Sequence, residues 1–566
     1  FLSSRRRHTR LRRDWSSDVC SSDLLYASKR IRVFGFLLGK QLGLNMLKFV
    51  LIAVLCLFCT TIAVSQNIVI NMTASESTQQ IVPGPVTDVW RYTANVVTGP
   101  ADTLSTIPNS YLGPIISLNT GDEVLIQFQN DLAYETTTHW HGMDVPDVAD
   151  GHPKDAMPPG GSYDYEFIVR NRAGTYWYHP HPDMMTGEQV YRGLASVLIV
   201  SDPLEQALAL PRDEFDIPLL IQDATFTSTN EFLYFQNFIG FFGDTTLVNG
   251  QADFNISAAT RMYRLRLLNG SQSRILKLAF DDGTPMVVIG VDGGLLEEPS
   301  QYPYVMLSPG ERIEIWADFT GKDLDDVITL QTLPYTSDAG PGQGALDDLM
   351  TFTIDRAESE SLTLPITLIP IGETYNVADA TAFKTYPIDM QTGPFTINGG
   401  LFSMLHTDPN EEAYGDDLEQ ITITNTDGLI LIAHPIHFHG RQFQIISRTI
   451  DGSYAVGYAS VKDGLVDGGW QDTFLIMPGE TVQYLVRWSR HPGLYMYHCH
   501  NLPHEDMGMM RNFRLFEPNC PSDLTHDDIV DLSDLLVVIN AWSTPYGDVT
   551  GDDRTNITDI MRVIEN

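Results

Sequence analysis

The twelve residues His498-Cys499-His500-Asn501-Leu502-Pro503-His504-Glu505-Asp506-Met507-Gly508-Met509 hold one thiol, three imidazoles and, at Met509, a thioether. Read as a strand running into a turn, the stretch is governed by period-two alternation. Cys499 then points to one face, and His498 and His500 to the other. The sulfur and the two imidazoles serve two different metal centres, one bond path apart. The rest of the chain must bring a further ligand to the sulfur side, and partners for His498 and His500 to the other.

A thiolate with imidazoles and a weak thioether is the donor set of a blue-copper electron-transfer site. Cys499, His504 and Met509 supply three of its members. Three other histidine clusters stand far away in the sequence: His139-Trp140-His141-Gly142, His179-Pro180-His181, and His434-Pro435-Ile436-His437-Phe438-His439-Gly440. Two imidazoles at i and i+2 on a strand share a face. One such pair is more often hydrogen-bonded than metal-ligating, but ten of the fifteen histidines fall in these four clusters. His434, offset by three residues and a proline from His437, can face the sulfur site. That leaves His139, His141, His179, His181, His437, His439, His498 and His500 for the other centre. Zinc fits less well, because closed zinc sites take four ligands and favour more thiolate.

The length of 566 residues allows three or four domains. Short apolar runs separated by Gly, Pro and Asp turns, as in Ile115-Ile116-Ser117-Leu118 and Val124-Leu125-Ile126, predict β-sandwiches. The expected organisation is a first metal-binding sandwich over residues 66–205, a ligand-free one over 206–365, and a second metal-binding one over 366–519. A formal charge of −37 argues against nucleic-acid binding and for an acid-rich surface. Three of the five cysteines precede residue 66 and Cys499 is committed to metal, so no disulfide framework is expected.

On the motifs HWHG, HPH, HPIHFHG and HCHNLPHEDMGM, residues 67–517 resemble the multicopper oxidases, the three-domain group that includes bacterial laccases, copper-efflux oxidases and bilirubin oxidases. The resemblance implies an all-β fold of three cupredoxin-like Greek-key sandwiches and four copper ions. It implies a type 1 copper on His434, Cys499, His504 and axial Met509. A type 2 copper would sit on His139 and His437, and a type 3 pair on His141, His179, His181, His439, His498 and His500. The implied reaction takes one electron at a time from a small reducing substrate and passes four to dioxygen, giving water. Asp150 and Glu505 match acidic residues that supply protons in bacterial members; an Asp-Gly turn residue and a solvated surface acid are the plainer readings.

The two ends read differently. Residues 1–24 resemble a translated sequencing adapter, and residues 25–45 read as upstream read-through. Met46 opens a signal peptide over residues 46–65, with an apolar core and small residues before the cut; no membrane span is expected in the mature chain. That implies export from a bacterial cell, to periplasm, surface or medium. Residues 520–566 carry two oxygen-ligand loops, Asp523, Thr525, Asp527, Asp531, Asp534 and Asp548, Thr550, Asp552, Asn556, Asp559, each followed by an apolar helical run. Their spacing wraps a hard cation. The tail resembles a type I dockerin, a small α-helical module, and implies two calcium ions and a cohesin-type partner.

Three functions follow in order. The first is oxidation of phenols or aromatic amines. The second is oxidation of Cu(I), Fe(II) or Mn(II), disfavoured for Cu(I) because Met350, Met390 and Met404 are scattered rather than clustered. The third, a copper-free assembly protein, conflicts with a complete set of twelve ligands.

Overall fold

The computed structural model describes residues 66–336, 339–340, 342–389, 395–426 and 431–517. The expected signal peptide and the expected calcium-binding tail, with Cys20, Cys56, Cys59, Cys520 and every proposed calcium ligand, lie outside them. The described chain is built of three pairs of β-sheets.

In the first pair, a sheet ordered Thr87–Thr98, Asn67–Gln79, Glu123–Asn130, Ser162–Ile168 faces one ordered Leu104–Ser105, Ile115–Asn119, Ser196–Ser201, Gly174–Pro180, Thr138–His141. Asn67–Gln79 alternates buried and open positions as a half-buried strand must. Ile68, Ile70 and Met72 enter a core shared with Ile126, Phe128, Trp140 and Tyr165. The second pair packs sheets of six and five strands around Leu265, Leu267, Ile315 and Phe352. The third packs two five-stranded sheets around Tyr386, Ile436, Phe438, Tyr484 and Tyr497.

One mixed topology recurs. In each unit an early strand runs parallel to a later one: Asn67–Gln79 beside Glu123–Asn130, Asp216–Ala224 beside Met262–Asn269, Ala382–Asp389 beside Leu418–Asn425. The expected all-β architecture of three sandwiches is present. No helix among the described residues is long and apolar enough to cross a membrane.

The four histidine clusters sit where strands of the first and third sandwiches end. Thr138–His141 pairs antiparallel with Gly174–Pro180, setting His139 opposite His179. His434–Phe438 pairs with Gly493–Cys499, setting His437 opposite His498 and Ile436 opposite Cys499. Both Gly174–Pro180 and His434–Phe438 are buried along their whole length, because one face meets its own core and the other meets a neighbouring sandwich. The sequence expectation of a strand running into a turn is met with one difference. The strand ends at Cys499, and Leu502–Asp506 form a single helical turn with Pro503 in its first turn.

Candidate metal centres

Cys499 is fully buried and free of any disulfide. His434 Nδ1 lies 3.2 Å from its sulfur and His504 Nδ1 3.6 Å. Met509 is buried in the same core, and its carbonyl accepts the Cys499 N–H at 3.1 Å, so the backbone holds both sulfur residues together. Burial pushes the thiol up, so a bare Cys499 stays protonated; a bound metal deprotonates it outright.

The other imidazoles come together across the interface of the first and third sandwiches. His141 stacks on His437 at 3.6 Å, and His139 on His439 at 3.8 Å. Their nitrogens form compact groups: His139 with His141 and His437; His141 with His179 and His500; His181 with His439 and His498. The six residues expected to hold a metal pair thus divide into two triads. His-x-His neighbours part company: the rings of His179 and His181 are 6.0 Å apart, and each joins a different triad.

Hydrogen bonds fix which nitrogen each ring offers. His139 Nδ1 donates to the Asp150 carbonyl at 2.7 Å, His437 Nδ1 to the Asp472 carbonyl at 2.9 Å, and His439 Nδ1 to the Asp150 carboxylate at 2.8 Å. A neutral imidazole has one N–H, so in each ring Nε2 carries a lone pair. Those lone pairs face one another: His437 Nε2 is 3.4 Å from His139 Nε2, and His439 Nε2 is 3.1 Å from His498 Nε2. His141 is turned the other way, with Nε2 on Asp472 Oδ1 at 3.1 Å and Nδ1 unpaired; His179 leaves Nε2 unpaired. Burial, then neighbouring imidazoles, hold His141, His179, His181, His437 and His500 well below the usual histidine range. Burial and His139 take His439 down to about 3 against the pull of Asp150. Buried, neutral, convergent lone pairs are unfavourable unless a cation lies among them, so the residues fit bound copper.

Two acids expected to supply protons lie at the cluster. Asp150 is fully buried; burial raises its carboxyl, but His439 and His139 outweigh that and hold it well below the usual range. Glu505 brings one oxygen within 3.4 Å of His181 Nε2 and the other within 3.0 Å of His498 Nδ1, neither in hydrogen-bond alignment. It is a buried carboxyl, not the solvated surface acid of the plainer reading.

Sequence reasoning missed Asp472 and Arg312. Asp472 Oδ1 and Oδ2 each accept from the buried Arg312 guanidinium at 2.6 Å, while Asp472 also holds His141. Arg312 belongs to the second sandwich, so the unit without ligands still positions them. The available signal was faint: Arg312 opens a strand, Arg312–Asp318, that alternates charged and apolar residues as an ordinary half-exposed strand does, although its first six residues are buried. Gly310, at φ +89°, lies where a Cβ would stand 3.0 Å from His500.

A thiolate–imidazole site wired by backbone to an all-imidazole cluster defines an electron-transferring copper protein, and comparison with known proteins agrees. Residues 88–205 and 374–517 each match a multicopper oxidase family model. A multicopper oxidase of Staphylococcus aureus is 31% identical over 405 residues, 71% of this chain and 82% of that one. A bilirubin oxidase of Albifimbria verrucaria is 32% identical, covering 71% of each chain. The crystal structure of McoA multicopper oxidase from Aquifex aeolicus superposes with a TM-score of 0.68 at 32% identity, over 80% of this chain and 99% of that one. The chain belongs to the multicopper oxidases, oxidoreductases that use dioxygen.

Copper should therefore act as a stabilising ligand of the fold. At a free concentration a thousandfold above its dissociation constant, a ligand specific for the native state adds about 4 kcal/mol per site. Calorimetry with and without a copper chelator should show a lower melting temperature for the stripped protein. Equal melting temperatures would mean the imidazoles bind no metal.

Proposed function

We propose that the chain is an exported oxidase of phenols or aromatic amines, coupling one-electron oxidation of its substrate to four-electron reduction of dioxygen to water. The observation that carries this reading is the backbone link: Cys499 lies between His498 and His500, which belong to the two imidazole triads. In this reading His434, Cys499, His504 and Met509 hold a type 1 copper. His139 and His437 hold a type 2 copper. His141, His179 and His500 hold one type 3 copper, and His181, His439 and His498 its partner. Copper in these places supplies the one-electron oxidant and the site of dioxygen reduction.

The chain's own groups orient the ligands and handle protons. Asp150 fixes the ring of His439 through Oδ2 and that of His139 through its carbonyl. Glu505, buried between His181 and His498, is placed to hand a proton toward the cluster. Glu505→Gln is expected to lower kcat about a hundredfold, while anaerobic bleaching of the blue band by substrate keeps its rate. A kcat within twofold of the parent would remove Glu505 from the reaction.

Among the scattered methionines, Met350 is buried in the core of the second sandwich, out of reach of an arriving metal ion. That supports an organic substrate over Cu(I). The strongly acidic chain, at −37, favours a second reading, oxidation of Fe(II) or Mn(II). Steady-state rates with a phenol and with Cu(I), Fe(II) and Mn(II) separate the two. The tail over residues 520–566 in this reading binds two calcium ions and carries the oxidase to a cohesin-type partner.

A further inference from the structure

Residues 232–242 read Phe-Leu-Tyr-Phe-Gln-Asn-Phe-Ile-Gly-Phe-Phe, with six aromatic rings and no charge, methionine or histidine. They connect two strands of the second sandwich, Asp216–Ala224 and Thr245–Val248. They are fastened across the sulfur site of the third. The Phe238 carbonyl accepts from His504 Nε2 at 3.0 Å. Gln236 Nε2 donates to Asp506 Oδ2 at 3.0 Å, two residues from His504. The Phe241 N–H donates to Ser273 Oγ at 2.9 Å, and that hydroxyl donates to Asn501 Oδ1 at 2.9 Å.

The segment is two-faced. Phe232 and Phe241 are buried against Tyr191, with ring centroids 5.1 and 4.9 Å away. Phe235 and Phe238 point out, 53% and 50% exposed, with Leu233 beside them at 44%. On the other side of His504 the Phe395 ring closes to 4.8 Å. The imidazole edge is thus covered, and the exposed Phe238 ring is linked to His504 through its own carbonyl and a single hydrogen bond.

We propose that this strap is the substrate platform of the type 1 site, on which an uncharged or cationic aromatic reductant stacks against Phe235 and Phe238. The inference rests on, and deepens, the oxidase reading above. Exposed rings offer offset or edge contacts to another ring. Within residues 232–242 no carboxylate, thioether or imidazole is available to a metal ion. The acidic chain repels an anionic substrate.

The test compares copper-loaded parent, the double variant Phe235→Ala/Phe238→Ala, and Phe383→Ala as control, an exposed ring on the third sandwich. Calorimetric titration with 1,4-dimethoxybenzene measures docking without turnover, and KM is measured for 2,6-dimethoxyphenol. The double variant is expected to raise both the dissociation constant and KM about tenfold and to keep the blue band, with the control at parental values. Values within twofold of the parent, where the parent oxidises the phenol, would overturn the platform alone. A parent that oxidises only metal ions would overturn the platform together with the oxidase reading on which it rests.

Discussion

Cys499→Ser should leave a folded protein with no blue colour and almost no oxidase activity. Serine is nearly isosteric, and position 499 sits in a core that also holds Ile436, Tyr497, Phe513 and Met509. The change therefore costs little packing. Chemically it removes the only soft anionic donor of the site: a hydroxyl is not ionised where even a thiol is pushed up by burial. The absorption near ~600 nm that a copper–thiolate bond gives should vanish. Bound copper should fall by about one ion per chain, since the imidazole triads keep their ligands. Turnover should drop at least about a thousandfold, because a purely catalytic loss of that size corresponds to about 4 kcal/mol of lost transition-state stabilisation. A variant that stays blue would move the type 1 site away from Cys499. One that loses colour but keeps its rate would mean substrate delivers electrons directly to the imidazole cluster.

Arg312→Met should be strongly destabilising. The guanidinium is completely buried and serves five acceptors: both oxygens of Asp472 and the carbonyls of Gly310, Asp292 and Thr175. Asp292 lies against it as well, its carboxyl raised well above the usual range by burial while Arg312 pulls it back. Removing the cation strands the buried Asp472 carboxylate, which accepts from it through both oxygens; breaking a buried pair in this way costs about 3–5 kcal/mol. Urea unfolding of the copper-free protein would measure this. Asp472→Asn placed on top should recover part of the loss, because it removes the stranded charge; additive losses would show that the two groups act independently. Copper affinity should fall about ten- to hundredfold through the misplaced rings of His141 and His437, read by competition with a chelator.

The sequence disclosed features carried by short spans. Alternation in Asn67–Gln79 announces a half-buried strand, and dense His-x-His motifs announce ligands. Gly174–Pro180, buried on both faces, does not alternate, so its place was legible only through His179 and His181. The division of six imidazoles into two triads was not legible, because His-x-His spacing fixes a separation of about one ring pair and not the partner across the interface. Arg312 and Asp472 were hidden for the same reason, being 160 residues apart in different sandwiches. The strap could have been suspected from its run of aromatics, but nothing local says that its Phe238 carbonyl meets His504, 266 residues away.

The separation of the ligands also imposes an order in time. His139 and His437 meet across 298 residues, and His181 and His498 across 317. A ribosome adding about 5–20 residues per second needs some tens of seconds to cover such an interval. During it the first sandwich can fold with His139, His141, His179 and His181 at its margin and no facing sheet. Four imidazoles displayed in this way bind divalent ions by ordinary affinity order and with little geometric choice. Selectivity for the proper metal thus begins only when the third sandwich docks, and a chain stalled before residue 434 would be an indiscriminate chelator rather than an incomplete oxidase.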